Sequence, residues 1–163
     1  MDGRLSALRI RPATSGDDAT LLALDVGDPG TGFPSVFARQ RDSFFGEHEP
    51  SATLVADLDG EVVGYLTLAH PTSLPENAHV SAIHGFDVRA DLRRRGIGRA
   101  LLDEAARTVQ AAGGSKISLG VLATNPGARS VYEKAGFVVE GVQVGEFVVD
   151  GEPVDSVMMA RHL

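Results

Sequence analysis

The chain has 163 residues, 43% of them hydrophobic and 23% charged, which fits one globular domain over 1–163 with a sizeable core. Its formal net charge of -7 argues against general nucleic-acid binding, which rests on neutralising phosphates. The absence of cysteine excludes a disulfide framework, a thiolate metal site and a thiol nucleophile. The histidines show no metal-ligand spacing, no apolar run approaches a membrane span, and MDGRLSALRIRPA lacks the apolar centre of a secretory signal. A soluble cytoplasmic protein without nucleic-acid or membrane partners is expected.

In chain order, Leu8 to Arg11 reads as a strand stopped by Pro12, and Thr14-Ser15 with Asp17 and Asp18 reads as a helix start before Ala19 to Leu24. Gly27 to Pro34 is a loop and Val36 to Phe45 a second helix. Thr53 to Leu58 and Val62 to Ala69 flank Asp59-Gly60, a strong hairpin signal, so this pair should be antiparallel. A polar loop, His70 to Asn77, precedes a strand from about Val80 to Val88, where Gly85 marks a bulge or a close ligand approach. Ile97, Leu101, Ala105 and Val109 recur at helical spacing, with Arg99, Asp103 and Arg107 as a charge ladder on another face. Gly113-Gly114 ends that helix. Ile117 to Leu122 is a short strand, Asn125 caps a further helix with Pro126 at its first position, and Gly136 closes it. Phe137 to Val149 and Val154 to Arg161 read as long strands joined through Asp150-Gly151-Glu152. Helices between central strands and hairpins at both ends imply a mixed sheet covered by helices.

The stretch VRADLRRRGIGRALL, Val88 to Leu102, joins a strand end to a helix start through a glycine-bearing, arginine-rich turn. Gly96 and Gly98 remove two side chains, so backbone N–H groups from Arg94 through Gly98 can approach an anion at a helix N-terminus. Arg93, Arg94, Arg95 and Arg99 add positive charge. A small polyphosphorylated ligand is therefore expected. The turn is no Walker A loop, since no Gly-Lys-Ser/Thr follows, and Gly96-Ile97-Gly98-Arg99-Ala100-Leu101 fails the dinucleotide fingerprint at its last position.

Strand, Arg93-x-x-Gly96-x-Gly98, then helix resembles the acyl-CoA pyrophosphate loop of the GNAT superfamily of N-acetyltransferases. Downstream, Leu119-x-Val121-x-x-x-Asn125-x-x-Ala128-x-x-x-Tyr132-x-x-x-Gly136-Phe137 resembles the other half of that family's cofactor-binding core. The resemblance covers Phe86 to Phe137, roughly a third of the chain. It implies an α/β (α+β) fold: a mixed, twisted sheet of about six to seven strands with about four helices, splayed between its fourth and fifth strands. The cosubstrate it implies is acetyl-CoA.

The same resemblance implies residue roles. The strand bearing Phe86 and Val88 would contact the acetyl and pantetheine groups through its backbone, with an N–H near Val88 polarising the thioester carbonyl. Arg93, Arg94, Arg95, Gly96, Ile97, Gly98 and Arg99 would hold the phosphates, the backbone more than the side chains. Asn125 and Ala128 would flank the pantetheine arm. Tyr132 would be the general acid to the departing thiolate, although a helical tyrosine is more often a packed aromatic. Many family members carry a glutamate as base on the fourth strand, where this chain has His84, with His79 and Asp87 close in sequence; Glu47 and His48 are further candidates. A histidine titrates near neutrality, which suits the task, while a lone strand histidine is more often structural.

The expected activity is direct acetyl transfer from acetyl-CoA to a primary amine in a ternary complex. Asp25 to Pro50, with Phe33, Phe37, Phe44 and Phe45, would shape the acceptor site, and polyamines, amino acids, antibiotics and protein amines all stay open as acceptors. A non-catalytic acyl-CoA-binding regulatory module is the alternative, and nucleic-acid binding by the arginine run a weaker one. Many relatives use their two C-terminal strands to meet a second copy, so a homodimer is a further expectation.

Overall fold

The structure, a computed structural model, describes residues 7–26, 42–46 and 48–163. The expected loop from Gly27 to Pro34, most of the expected helix from Val36 to Phe45, and Phe33, Phe37 and Glu47 lie outside those residues. The end of that helix, residues 42–45, is not helical. Its polar groups are engaged otherwise: the Ser43 hydroxyl and the Phe45 N–H both donate to Asp18 Oδ1, at 2.8 and 3.1 Å, and the Gly46 N–H donates to Ser43 Oγ. Side-chain acceptors of this kind compete with a helical ladder.

Seven strands form one sheet: β1 (Leu8–Pro12), β2 (Thr53–Leu58), β3 (Glu61–Ala69), β4 (Val80–Val88), β5 (Lys116–Leu122), β6 (Val138–Val149) and β7 (Glu152–His162). Their spatial order is β1-β2-β3-β4-β5-β7-β6. Three α-helices lie among the described residues, α1 (Asp18–Val26), α2 (Ile97–Ala111) and α3 (Pro126–Lys134). Every neighbouring pair of strands is antiparallel except β4 and β5, whose parallel pairing is bridged by the crossover through α2.

Local chemistry accounts for the turns. Asp59 and Gly60 take φ of 53° and 89°, and Leu58 pairs with Glu61, which is the two-residue hairpin expected there. Asp150 and Gly151 do the same at 50° and 83°, so Val149 pairs with Glu152 and β7 starts two residues before the expected Val154. β1 runs on through Pro12, which an edge strand tolerates because no neighbour needs the missing N–H.

The sheet parts at its centre. β4 and β5 pair only over Val80–Lys116, Ser81–Ile117 and Ala82–Ser118. Beyond Ala82, β4 pairs only with β3, while β5 continues to Leu122 paired only with β7. The result is the expected splay, a gap floored by the seam at Ala82.

Alternate residues send side chains to opposite faces. Leu54 and Ala56 join a core with Val63, Leu66, Val88 and the inner face of α2, whereas Val55 joins Val62, Tyr65, Phe45 and Leu21 of α1. All four α2 residues expected to face inward, Ile97, Leu101, Ala105 and Val109, are buried. Each fully buried leucine stabilises by about 1.5–3 kcal/mol, and the core under α2 reaches β5 and β7 through Ile117, Leu119, Val157 and Met159. The charge ladder differs from its expected form. Arg99 pairs with Asp103 at 3.0 Å, but Arg107 pairs with Glu104, and Asp103 also receives Arg161 of β7.

Candidate active site

The turn after β4 is shaped by two left-handed residues, Arg94 at φ 61° and Gly96 at φ 87°. Leu92 before them and Ile97 after them are buried and pin the turn to the core. The first bond of α2 runs from the Ala100 N–H to the Gly96 carbonyl at 3.0 Å, so the N–H groups ahead of it face out of the helix N-terminus. The two glycines meet different demands. Around Gly96 a built Cβ meets nothing within 4 Å, so its requirement is the left-handed backbone; at Gly98 a Cβ would lie 3.1 Å from Phe86 Cζ, so its requirement is space.

The arginines divide in the same way. Arg99 donates to Asp103 and, at 2.6 Å, to the Lys134 carbonyl at the end of α3, tying two helices together. Arg93 Nε donates to the Val88 carbonyl at 3.0 Å and Nη2 to Asp87 Oδ1 at 3.0 Å. Arg94 and Arg95 are exposed and, among the described residues, make no hydrogen bond or ion pair. They are the side chains of the run most open to an anion at the cradle.

Val88 lies where β4 borders the gap. The Arg89 N–H donates to Val63 of β3, and strand alternation therefore turns the N–H and carbonyl of Val88 away from β3, into the gap. That N–H donates to Asp87 Oδ1 at 2.8 Å. A groove of about 420 Å³ runs between Thr20, Ala23 and Leu24 of α1 and Asp87, Val88 and Arg93 at the end of β4.

On the other side of the gap, Asn125 caps α3 by accepting from the Ala128 N–H at 3.1 Å. The cap sets the start of the helix, and seven residues on Tyr132 is buried, 8% exposed, between two aromatic rings. Phe86 of β4 lies 5.6 Å away and Phe137 lies 5.8 Å away, centroid to centroid. Among the described residues the Tyr132 hydroxyl has no hydrogen-bond partner. Burial, and then the Asp87 charge, raise its pKa above the ordinary tyrosine value, so the hydroxyl keeps its proton at neutral pH. Asp87 and Tyr132 thus lie within electrostatic reach across the gap.

His84 is the extra residue of a bulge in β4. Thr67 of β3 pairs with Gly85 and Leu68 with Ile83, which leaves His84 unmatched. The histidine is exposed. Gly85 beside it lies under the Tyr65 ring, which would come within 3.0 Å of a Cβ there, and the Tyr65 hydroxyl donates to Asp25 Oδ1 at 2.6 Å. The structure thus gathers Phe86, Val88, the turn from Arg93 to Gly98, and Tyr132 around one gap, with His84 on β4. His48 is exposed in the segment before β2. Sequence reading missed the roles of Asp87, which bonds its own neighbour's N–H, and of the Tyr65–Asp25 pair. Asp87 is visible in the sequence only as a strand-end acid six residues before an arginine; the Tyr65–Asp25 partners stand 40 residues apart, with no local signal.

Comparison with known proteins agrees with this geometry. Residues 21–137 match the acetyltransferase (GNAT) family. The chain is 37% identical over 109 residues to the L-amino acid N-acetyltransferase AaaT of Escherichia coli, a stretch covering 66% of each chain. It is 29% identical over 165 residues to an N-alpha-acetyltransferase of Sulfolobus acidocaldarius, covering 95% of this chain and 92% of that one. The chain therefore spans about two thirds of the first relative's length and nearly all of the second's. Among solved structures, a GNAT-family acetyltransferase of Streptococcus pneumoniae superposes with a TM-score of 0.77 at 25% identity, covering 96% of this chain and 99% of that one. The fold of yncA from Salmonella typhimurium, solved with its cofactor acetyl-CoA, superposes at 0.74 with 17% identity, covering 96% and 94%. The splayed sheet, the left-handed turn opening α2 and the residues matched from α1 to Phe137 converge on one conclusion: this chain belongs to the acetyltransferase (GNAT) family, acyltransferases whose cosubstrate is acetyl-CoA.

Proposed function

We propose that the chain transfers an acetyl group from acetyl-CoA directly to a primary amine in a ternary complex, with Tyr132 as general acid and His84 as proton acceptor. The observation that carries this reading is the Tyr132 hydroxyl, buried beside the gap, protonated and without a partner among the described residues. A tyrosine present only for packing has its hydroxyl satisfied more often than not.

Acetyl-CoA supplies an acyl group already activated as a thioester. The N–H groups from Arg94 to Gly98, with Arg94 and Arg95 beside them, hold its phosphates, and Arg93 and Arg99 add positive charge behind. Phe86, Asn125 and Ala128 line the course of the pantetheine arm, and Ile97 keeps the helix start rigid. Val88 offers its N–H to the carbonyl oxygen as negative charge develops there. The amine nitrogen forms its bond to the carbonyl carbon as the carbon–sulfur bond breaks; the proton lost by the amine passes to His84, and the Tyr132 proton goes to sulfur. Held geometry and the proton from Tyr132 supply the rate.

The test is a Tyr132→Phe variant followed by thiol release across a panel of amines. L-amino acids and other compounds with a free α-amino group head the panel, because one relative is named an L-amino acid N-acetyltransferase and the other an N-alpha-acetyltransferase. We expect the variant to keep CoA binding and to lose about 10²–10⁴-fold in rate. An unchanged rate would remove Tyr132 as the acid, and tight acetyl-CoA binding with no turnover of any amine by the unaltered protein would favour the regulatory-module alternative. The proposal extends to assembly: β6 is the outer strand and leaves Val138, Val142, Val144 and Val148 exposed, and a second copy pairs along it. Light scattering that shows a monomer at high concentration would reject that extension.

A further inference from the structure

The rim of β4 that borders the gap is sealed by the chain's own side chains. Asp87 Oδ1 accepts the Val88 N–H at 2.8 Å and Arg93 Nη2 at 3.0 Å, while Arg93 Nε donates to the Val88 carbonyl at 3.0 Å. These three bonds close a ring that satisfies both backbone groups of Val88. A neighbouring strand does this elsewhere in the sheet, but β5 has already left β4 at Ala82. The ring stands between two parts of the proposed site. The Asp87 side chain is 13% exposed, with the Val88 edge beside it; the Arg93 side chain is 37% exposed and begins the turn that leads to the phosphate cradle.

We propose that Asp87 and Arg93 are positioning residues that form a latch over Val88, and that acyl-CoA binding opens it. This inference rests on the acetyl-CoA reading above. The Val88 N–H cannot polarise a thioester carbonyl while it is committed to a carboxylate. Arg93 cannot fully serve a pyrophosphate while it is held by Asp87 and by the Val88 carbonyl. Opening resolves both conflicts: the ligand's acyl and amide groups take over the Val88 edge, and its phosphates give the guanidinium a second, more highly charged partner. Asp87 therefore opposes binding, although it lines the site. Its removal should tighten the complex, the reverse of what the loss of a contact residue does.

A charge effect alone would also tighten binding of a polyanion, so two ligands are needed. CoA carries phosphates, whereas S-acetylpantetheine carries none and is uncharged. Both are titrated into the unaltered protein and Asp87→Ala, by calorimetry for CoA and by ¹⁵N spectra for the weaker pantetheine ester, with the Val88 amide resonance as the local reporter. We expect Asp87→Ala to bind both ligands more tightly, roughly tenfold for a freed charge-assisted bond. The unliganded variant's Val88 amide should shift in the direction that CoA produces in the unaltered protein. Asp87→Asn, which removes the charge and keeps an acceptor oxygen, should gain less with the pantetheine ester than Asp87→Ala; it also stands in if the alanine variant fails to fold. Tightening for CoA without tightening for the ester would reduce Asp87 to simple repulsion and overturn the latch, as would no tightening for either. Absence of CoA binding by the unaltered protein would remove the acetyl-CoA reading and the latch with it, an outcome seen before any variant is made.

Discussion

Replacing Gly96 by alanine isolates the conformational demand of the turn from every contact around it. At φ 87° an alanine sits in the left-handed region, while its Cβ meets no heavy atom within 4 Å. The cost is then backbone strain, about 1–2 kcal/mol for an L-residue held there. It is partly offset by the reduced freedom of alanine in the unfolded chain, about 0.4–1 kcal/mol. A net loss of about 1 kcal/mol lowers the melting temperature of a domain this size by roughly 2–4 °C. Gly98→Ala is the contrast. It gains up to about 1 kcal/mol of helix propensity but drives a methyl 3.1 Å from Phe86 Cζ, so stability should barely change while the Phe86 ring is pressed against Tyr132. Differential scanning calorimetry with and without CoA separates the two variants. Gly96→Ala should melt lower and gain less from CoA, Gly98→Ala should melt near the parent and transfer acetyl more slowly. Gly141→Ala, with open space and no left-handed backbone, serves as the control. If Gly96→Ala melted at or above the parent temperature, the left-handed turn would be refuted.

Further outcomes follow from other parts of the fold. Asn125→Ala removes the acceptor for the Ala128 N–H and should cost about 0.5–2 kcal/mol in denaturant titrations, with a loss of acetyl transfer as the start of α3 frays. Leu101→Ala, at a side chain with no exposure, should cost about 2–5 kcal/mol by the same measurement. Asp17 accepts two bonds from Arg11, at 2.8 and 3.0 Å, and this pairing is the main cause that lowers its pKa. A lowered folded value means that the carboxylate stabilises the fold above its ordinary value of 3.8 and loses that contribution as pH falls through the folded value. Asp17→Asn should therefore be less stable than the parent at pH 7, by about 1.5–3 kcal/mol for charge-assisted bonds. The difference should close on acid titration below pH 3.8; a constant gap down to pH 2 would contradict the ion-pair account.

Much of the fold was legible because its signals are local. Asp59-Gly60 fixes a hairpin register, Ile97, Leu101, Ala105 and Val109 fix the buried face of α2, and Asn125-Pro126 fixes the start of α3; each holds in the structure within a residue. The gap was reached through resemblance, since nothing in β4 or β5 taken alone says that they part at Ala82. The misreadings have a common physical cause. Arg99 carries a tie that spacing does not show, its length letting it reach the Lys134 carbonyl 35 residues away. Spacing makes Arg107 the next rung of the ladder after Asp103, yet it pairs with Glu104, and the further partner of Asp103 is Arg161 of β7. Val36 to Phe45 showed helical composition, while at its end Ser43 and Phe45 bond to a carboxylate in α1. Long polar side chains and isolated acids choose partners by tertiary proximity, which spacing along the chain does not encode.

The short seam between β4 and β5 has a consequence for how the molecule opens. Three residue pairs, with the His79 carbonyl beside them accepting from the Ser115 and Lys116 N–H groups, join β1–β4 to β5–β7 through backbone, so much of the coupling between the halves runs through side chains, above all the inner face of α2, which packs against both. In amide hydrogen exchange they should behave as two cooperative units, with the β5–β7 amides and the β2–β4 amides following separate opening reactions. A ligand lying in the gap, bonded to one half and packed against the other, would merge them into one. Slowed exchange should then spread well beyond the residues it touches.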